Sequence, residues 1–211
     1  AMQVSSPPPL FEGAVGLVLD YGSVYSGSGR AQLKPQLAGF VRYGRFTIHG
    51  AGGFSTRSDV DVDKGLAADV FRGAKWRATV GLRGERGRKA SASPQLTGMG
   101  NVADTIRARL GFRWQLAPQW SASTGLRMDA LGRVGGSVLD ASVTHDWRLS
   151  PTARVSASWG ISAASQSYMQ AWHGITPEQA QTSGYMPFQA KAGLRSTGLG
   201  VTWRQDIQDG D

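Results

Sequence analysis

Cysteine is missing from all 211 residues. That excludes a disulfide scaffold, a thiolate metal site, a cysteine nucleophile and a lipidated cysteine within this sequence. Long apolar runs are missing too. A membrane helix needs roughly 18 or more consecutive apolar residues, and Leu17–Leu19 is a typical run here. Histidine is scarce and scattered, at His49, His145 and His173. The sequence carries no His-x-x-x-His pair and no Gly-x-Ser-x-Gly elbow, so no catalytic, cofactor or metal site is expected and the chain is read as a non-enzyme. Asp59, Asp61 and Asp63 alternate in a loop. They lack the turn-making glycine of an EF-hand and read as solvated. The start, Ala1-Met2-Gln3, shows no leader pattern, so the numbering is expected to begin after a removed signal peptide.

What is present is glycine (29 residues), an excess of Lys and Arg (23) over Asp and Glu (15), and strict alternation. Successive side chains of a strand point to opposite faces, so a strand between lipid and water must alternate apolar and polar. Ile106, Ala108, Leu110, Phe112, Trp114 and Leu116 oppose Arg107, Arg109, Gly111, Arg113 and Gln115. Three more runs repeat this over Trp120–Ala130, Leu139–Leu149 and Ala153–Ser162. Each has the length of a tilted membrane strand, roughly 9–11 residues, longer than the roughly 5–6 of an ordinary sandwich strand. Lys75–Arg83 and Gly198–Arg204 alternate as well. Weaker candidates are Ala14–Tyr21, Leu37–Tyr43, Phe46–Phe54 and Leu66–Phe71. The expected fold is all-β: an antiparallel transmembrane β-barrel of about ten visible strands.

The connections alternate short and long. The short ones are Gly44-Arg45, Arg72–Ala74, Ala117–Gln119 and Ser150–Thr152. The long ones are Gly22–Gln36, Ser55–Gly65, Arg86–Thr105, Leu131–Ser137 and Ala164–Gln189. Short periplasmic turns and long external loops are the barrel rule. The whole chain, 1–211, reads as one barrel domain, with residues 1–12 (including Ser5–Pro9, SSPPP) as a periplasmic tail. Trp76, Trp114, Trp120 and Trp147 all fall near the short turns, where an aromatic girdle belongs.

The polar face is basic. Arg77, Arg83, Arg107, Arg109, Arg113, Arg127, Arg148 and Arg154 point into the lumen with Lys75 and Arg204, against Glu85, Asp129, Asp140 and Asp146. Two readings stay open: an Arg–carboxylate network that packs the lumen, or an anion-attracting pore. Nucleic-acid binding is not expected, because the arginines point inward and form no exposed basic face.

One segment breaks the alternation, Tyr168–Tyr185. Thr176 is placed to N-cap a short helix, Pro177 suits its first position, Gln179 completes a capping box and Ser183-Gly184 stops it. The topology puts this helix in a long external loop. Here the chain resembles the MltA-interacting protein family (MipA/OmpV) of Gram-negative outer-membrane proteins. The matching residues are Tyr168-Met169, Gly174-Ile175-Thr176-Pro177, Gln179-Ala180, Ser183-Gly184, Ala192–Leu194, Gly135-Gly136 and the TGMGNVADT run at Thr97–Thr105. The resemblance implies residence in the outer membrane and a scaffold that links lytic transglycosylases to murein synthases. Other members are described as adhesins. It carries over no catalytic residue and no cofactor. It also implies a further hairpin beyond Asp209-Gly210-Asp211, so the chain is expected to lack C-terminal strands and the intact barrel to have about twelve.

Overall fold

The computed structural model describes residues 10–23, 31–50 and 65–205. Ten strands form one antiparallel sheet in chain order. They are β1 (Phe11–Ser23), β2 (Ala31–Tyr43), β3 (Phe46–His49), β4 (Gly65–Arg72), β5 (Trp76–Glu85), β6 (Thr105–Ala117), β7 (Trp120–Asp129), β8 (Ser137–Arg148), β9 (Ala153–Ala164) and β10 (Gly193–Gln205). The all-β expectation and the strand count both hold. Each strand pairs with the next in sequence, so the connections β2–β3, β4–β5, β6–β7 and β8–β9 share one end of the sheet and are all short. Among the described residues the ladder runs open from β1 to β10. No helix among them is long and apolar enough to cross a membrane, which says nothing of strands.

The polarity of this sheet is reversed relative to a protein that folds around an oily centre. Leu66, Val80, Leu82, Leu110, Phe112, Trp114, Leu139, Trp159 and Ile161 are exposed, while Arg42, Thr47, His49, Asp69, Arg107, Ser121 and Ser162 are buried. Exposed apolar patches on water-soluble monomers rarely exceed a few hundred Å². Here they line one whole face, as a surface facing hydrocarbon requires. Near the short turns that face is aromatic. Phe71 stacks on Trp76 at 4.1 Å between ring centroids, Trp76 meets Phe112 at 5.9 Å, and His145 lies against Trp120 at 4.5 Å and Trp147 at 4.2 Å.

The alternation is noisier in β4 and β10 because each contains a bulge. In β4 the register skips Val70, so Leu66 and Ala68 share a face with Phe71, while Asp69 and Arg72 both turn inward. In β10 the register skips Arg195. A bulge inserts one residue and resets the phase of everything after it. Phe46–Phe54 is described as strand only through His49, and its residues 51–54 lie outside the described residues, as do Ser5–Pro9, Asp59, Asp61, Asp63 and most of the first two long loops.

One expectation needs correction. The β9–β10 connection holds two helices rather than one: α1 (Gln166–His173) and α2 (Pro177–Ser183). The second has the expected Thr176–Gln179 capping box, Pro177 in its first turn and left-handed Gly184 (φ 75°) at its end. The first, QSYMQAWH, is N-capped by Ser165. Ser165 follows directly on the alternating run of β9, so its sequence reads as more strand.

Replacing Leu110, half exposed on the apolar face, by Arg is expected to cost about 2–4 kcal/mol in a bilayer. Gln181→Arg, on exposed α2, is expected to change stability by less than about 0.5 kcal/mol. Urea titration in lipid vesicles measures both. Equal effects would refute the lipid-facing assignment.

Candidate functional site

Two constellations stand out, one at each end of the sheet. At the long-loop end the connections knit into a platform. Asp129, the last residue of β7, accepts hydrogen bonds from the backbone N–H groups of Leu131 (3.1 Å), Val134 (2.7 Å) and Gly135 (2.6 Å), and from the Thr105 hydroxyl. One carboxylate thereby folds the whole β7–β8 loop. Gly136 follows at φ +77°, so close to Ser165 and Tyr168 that a Cβ there would strike the Tyr168 backbone. Only glycine satisfies both demands.

Arg107 joins this loop to the sheet. Its side chain is almost wholly buried. It donates Nε to Glu85 (2.6 Å) and Nη1 to the Gly136 carbonyl (3.0 Å), with its guanidinium carbon 5.0 Å from the centre of the Tyr168 ring. Arg195 donates to the Ser162 hydroxyl (3.1 Å) and the Tyr168 hydroxyl (3.4 Å), and its guanidinium carbon is 5.8 Å from the same ring. Cation–π contacts of this kind are worth about 0.5–2 kcal/mol each. Tyr168 is buried with Val138 and Ala164, and Met169 and Trp172 pack against them.

The β5–β6 loop docks on the same helices. Arg88 donates to the Trp172 carbonyl at 2.7 Å, Gln179 to the Met99 carbonyl at 2.5 Å, Thr182 to the Gly98 carbonyl at 2.7 Å and Tyr185 to the Gln95 carbonyl at 3.2 Å. Gly174 caps α1 through its N–H to Gln170, Ile175 bridges to Phe188, and Ser183 donates to the Gln179 carbonyl. Tyr168, Gly174, Ile175, Thr176, Pro177, Gln179, Ser183 and Gly184 therefore all have identifiable roles in holding this platform. His173 sits within it. Burial and the nearby Arg88 and Arg195 charges lower its pKa below the usual 6.5.

The inward arginines fall into several environments. Arg127 is bonded to Asp140 at 2.6 Å, and Arg113 donates to Ser121 at 2.9 Å. Arg83 stands opposite Arg107, Arg109 opposite Arg127, and Arg148 opposite Arg154 in the ladder. Like charges directly opposite are unfavourable, and Glu85 compensates Arg107 while Asp140 compensates Arg127. A groove of about 430 Å³ on the inward face is lined by Arg109, Arg127, Asp140, Arg195 and several serines. Asp129 and Asp146 both accept hydrogen bonds from uncharged donors. The first takes backbone and Thr105 donors, and the second takes the Ser156 hydroxyl at 2.5 Å.

At the short-turn end Asp69 is a hub that sequence reading missed. It is bonded by Arg42 (3.1 Å), Arg72 (2.7 Å) and Arg77 (2.5 Å through Nε). The bulge at Val70 hid it, because unbroken alternation would place Asp69 and Arg72 on opposite faces. Arg195 was missed for the same reason. Among the described residues no three His, Asp or Glu gather to hold a metal ion.

A family model described as MltA-interacting protein MipA matches residues 15–210. No curated protein and no solved structure matches the chain.

Arg107→Ala strands Glu85 and is expected to destabilise the fold by about 3–5 kcal/mol. The further change Glu85→Gln should recover part of that loss in urea titrations in micelles, and no recovery would refute the pairing. His173 binds its proton less tightly in the fold than in the unfolded chain. The stability it confers is therefore complete above pH 6.5 and declines as pH falls through 6.5 towards the lowered folded pKa. Amide protection factors in α1, taken relative to the intrinsic exchange rate at each pH, should be lower at pH 5 than at pH 7.5. His173→Gln should remove that difference.

Proposed function

Because the chain belongs to the MltA-interacting protein MipA family, whose model spans nearly all of it, we propose that it is a Gram-negative outer-membrane β-barrel scaffold. It holds a lytic transglycosylase, and with it a murein synthase, at the periplasmic face of that membrane. The apolar outward face meets lipid, and the short turns face the periplasm.

The observation that carries the docking surface is the charge at the short-turn end. Arg45, Arg72, Lys75 and Arg148 are exposed there. The turns 44–45, 73–75, 118–119 and 149–152 contain no Asp or Glu. A basic rim of this kind favours an acidic partner surface and speeds encounter with it. A stable contact usually buries roughly 1,200–2,000 Å², more than four tight turns offer. The partner therefore also engages the Ser5–Pro9 tail.

A second reading rests on the groove lined by Arg109, Arg127 and Arg195: passage of small anions along the inward face. Chloride-selective conductance in planar bilayers, weakened by Arg109→Ser, would favour it over the scaffold.

The refolded full chain in detergent micelles is expected to bind a purified lytic transglycosylase saturably. Lys75→Glu together with Arg148→Glu should weaken that binding about tenfold, and added salt should weaken it further. Absence of binding at micromolar protein would sink the scaffold reading.

A further inference from the structure

We propose that the groove on the inward face of β7–β10 is a binding site for a small polyhydroxylated carboxylate, a sugar acid. Arg195 is its carboxylate receptor. The β10 bulge turns this residue inward, and two anchors fix its guanidinium. Nε donates to the Ser162 hydroxyl at 3.1 Å and Nη1 to the Tyr168 hydroxyl at 3.4 Å. Both acceptors are uncharged. The carboxylate in the groove lining, Asp140, is held by Arg127 through Nε at 2.9 Å and Nη2 at 2.6 Å. Among the described residues Arg195 has no carboxylate partner, and its Nη2 group has no acceptor. A guanidinium fork held in place beforehand loses little freedom when it takes up a carboxylate.

The rest of the groove selects the class of acid. Its volume of about 430 Å³ lies in the range of small-molecule sites, roughly 300–1,000 Å³, and exceeds what a bare inorganic anion fills. Hydroxyls line it. Ser123 and Ser142 face each other across β7–β8 at 2.7 Å. Ser196 makes no side-chain hydrogen bond among the described residues, and Ser158 makes only a long one, to the Gly200 carbonyl at 3.5 Å. A hydroxyl both donates and accepts, so these serines match the hydroxyls of a sugar. Glycine supplies the room. Gly160 and Gly198 are paired across β9–β10, and a Cβ at Gly198 would meet no atom within 4 Å. Arg195 and Ser162 also hold Tyr168 of α1, so the platform bounds the groove at its long-loop end. A neutral sugar leaves Arg195 unmet, and an acid without hydroxyls leaves the serines unmet. The inference rests on the anion reading of this groove, but on binding within it rather than passage along it.

The test uses the full chain in a polyoxyethylene detergent, which carries no sugar, and equilibrium dialysis with three probes: gluconate, glucose and propionate. Gluconate should bind saturably, at least tenfold more tightly than either of the others. Arg195→Gln should weaken gluconate binding at least tenfold, and Ser158→Ala about threefold. Arg195 also bonds Tyr168, so Gly198→Val, whose Cβ enters open space, decides the matter if Arg195→Gln fails to fold. It should abolish gluconate binding by filling the groove. Equal binding of glucose would overturn Arg195 as the receptor. Equal binding of propionate would overturn the sugar acid in favour of a plain carboxylate. No saturable binding, or binding unchanged in the folded variants, would overturn the proposal outright. Gluconate binding without chloride conductance in planar bilayers would sink the passage reading and leave this site standing. Chloride conductance without gluconate binding would do the reverse.

Discussion

The phase of each strand decides whether a side chain joins the exposed apolar face or the basic one, and every other feature depends on keeping that phase across ten strands. The backbone is satisfied within the ladder, so side chains are free to specify two opposed environments. Leu110 and Arg109 are sequence neighbours in β6, yet one is half exposed on the apolar face while the other lines the basic groove. A single uncorrected register slip would exchange those environments along the whole strand. The bulges at Val70 and Arg195 are such slips put to use. Each turns one extra polar side chain inward, Arg72 in β4 and Arg195 in β10, and each of these joins a constellation that the sheet could not otherwise assemble.

Where alternation is unbroken, the fold is legible in the sequence. β7, β8 and β9 lie within a residue or two of their expected positions, because apolar and polar residues strictly trade places through them. The α2 helix is equally legible, since Thr176, Pro177, Gln179 and Gly184 each have a local chemical reason to stand where they do. The Asp69 hub is not legible. Its partners come from β2, β4 and β5, and a bulge that no local signal announces decides which face Asp69 shares with Arg72. The α1 helix is hidden for a related reason: its cap, Ser165, extends a run that already alternates. The inward arginines could be named from sequence. Their partners could not, because Asp129 takes amides and hydroxyls where an ion pair was the simpler expectation.

The two ends of the sheet treat charge differently. At the platform, Arg107 is matched by Glu85, by two glycine carbonyls and by an aromatic face, so its charge is spent on holding loops. At the turns, Arg45, Arg72 and Arg148 are exposed. The first arrangement makes a rigid surface. The second makes an electrostatic one, and the proposed contact with an acidic partner draws on it.

The meander also has a kinetic corollary. Every strand pairs with its immediate successor, so the ladder can be laid down one hairpin at a time with little loop-closure entropy lost at each step. The platform contacts are of another kind. Gln179 reaches Met99 across 80 residues, and Arg88 reaches Trp172 across 84. Their closure costs least entropy once the four intervening strands have paired. The platform is thus a latch whose closure a completed β6–β9 ladder favours.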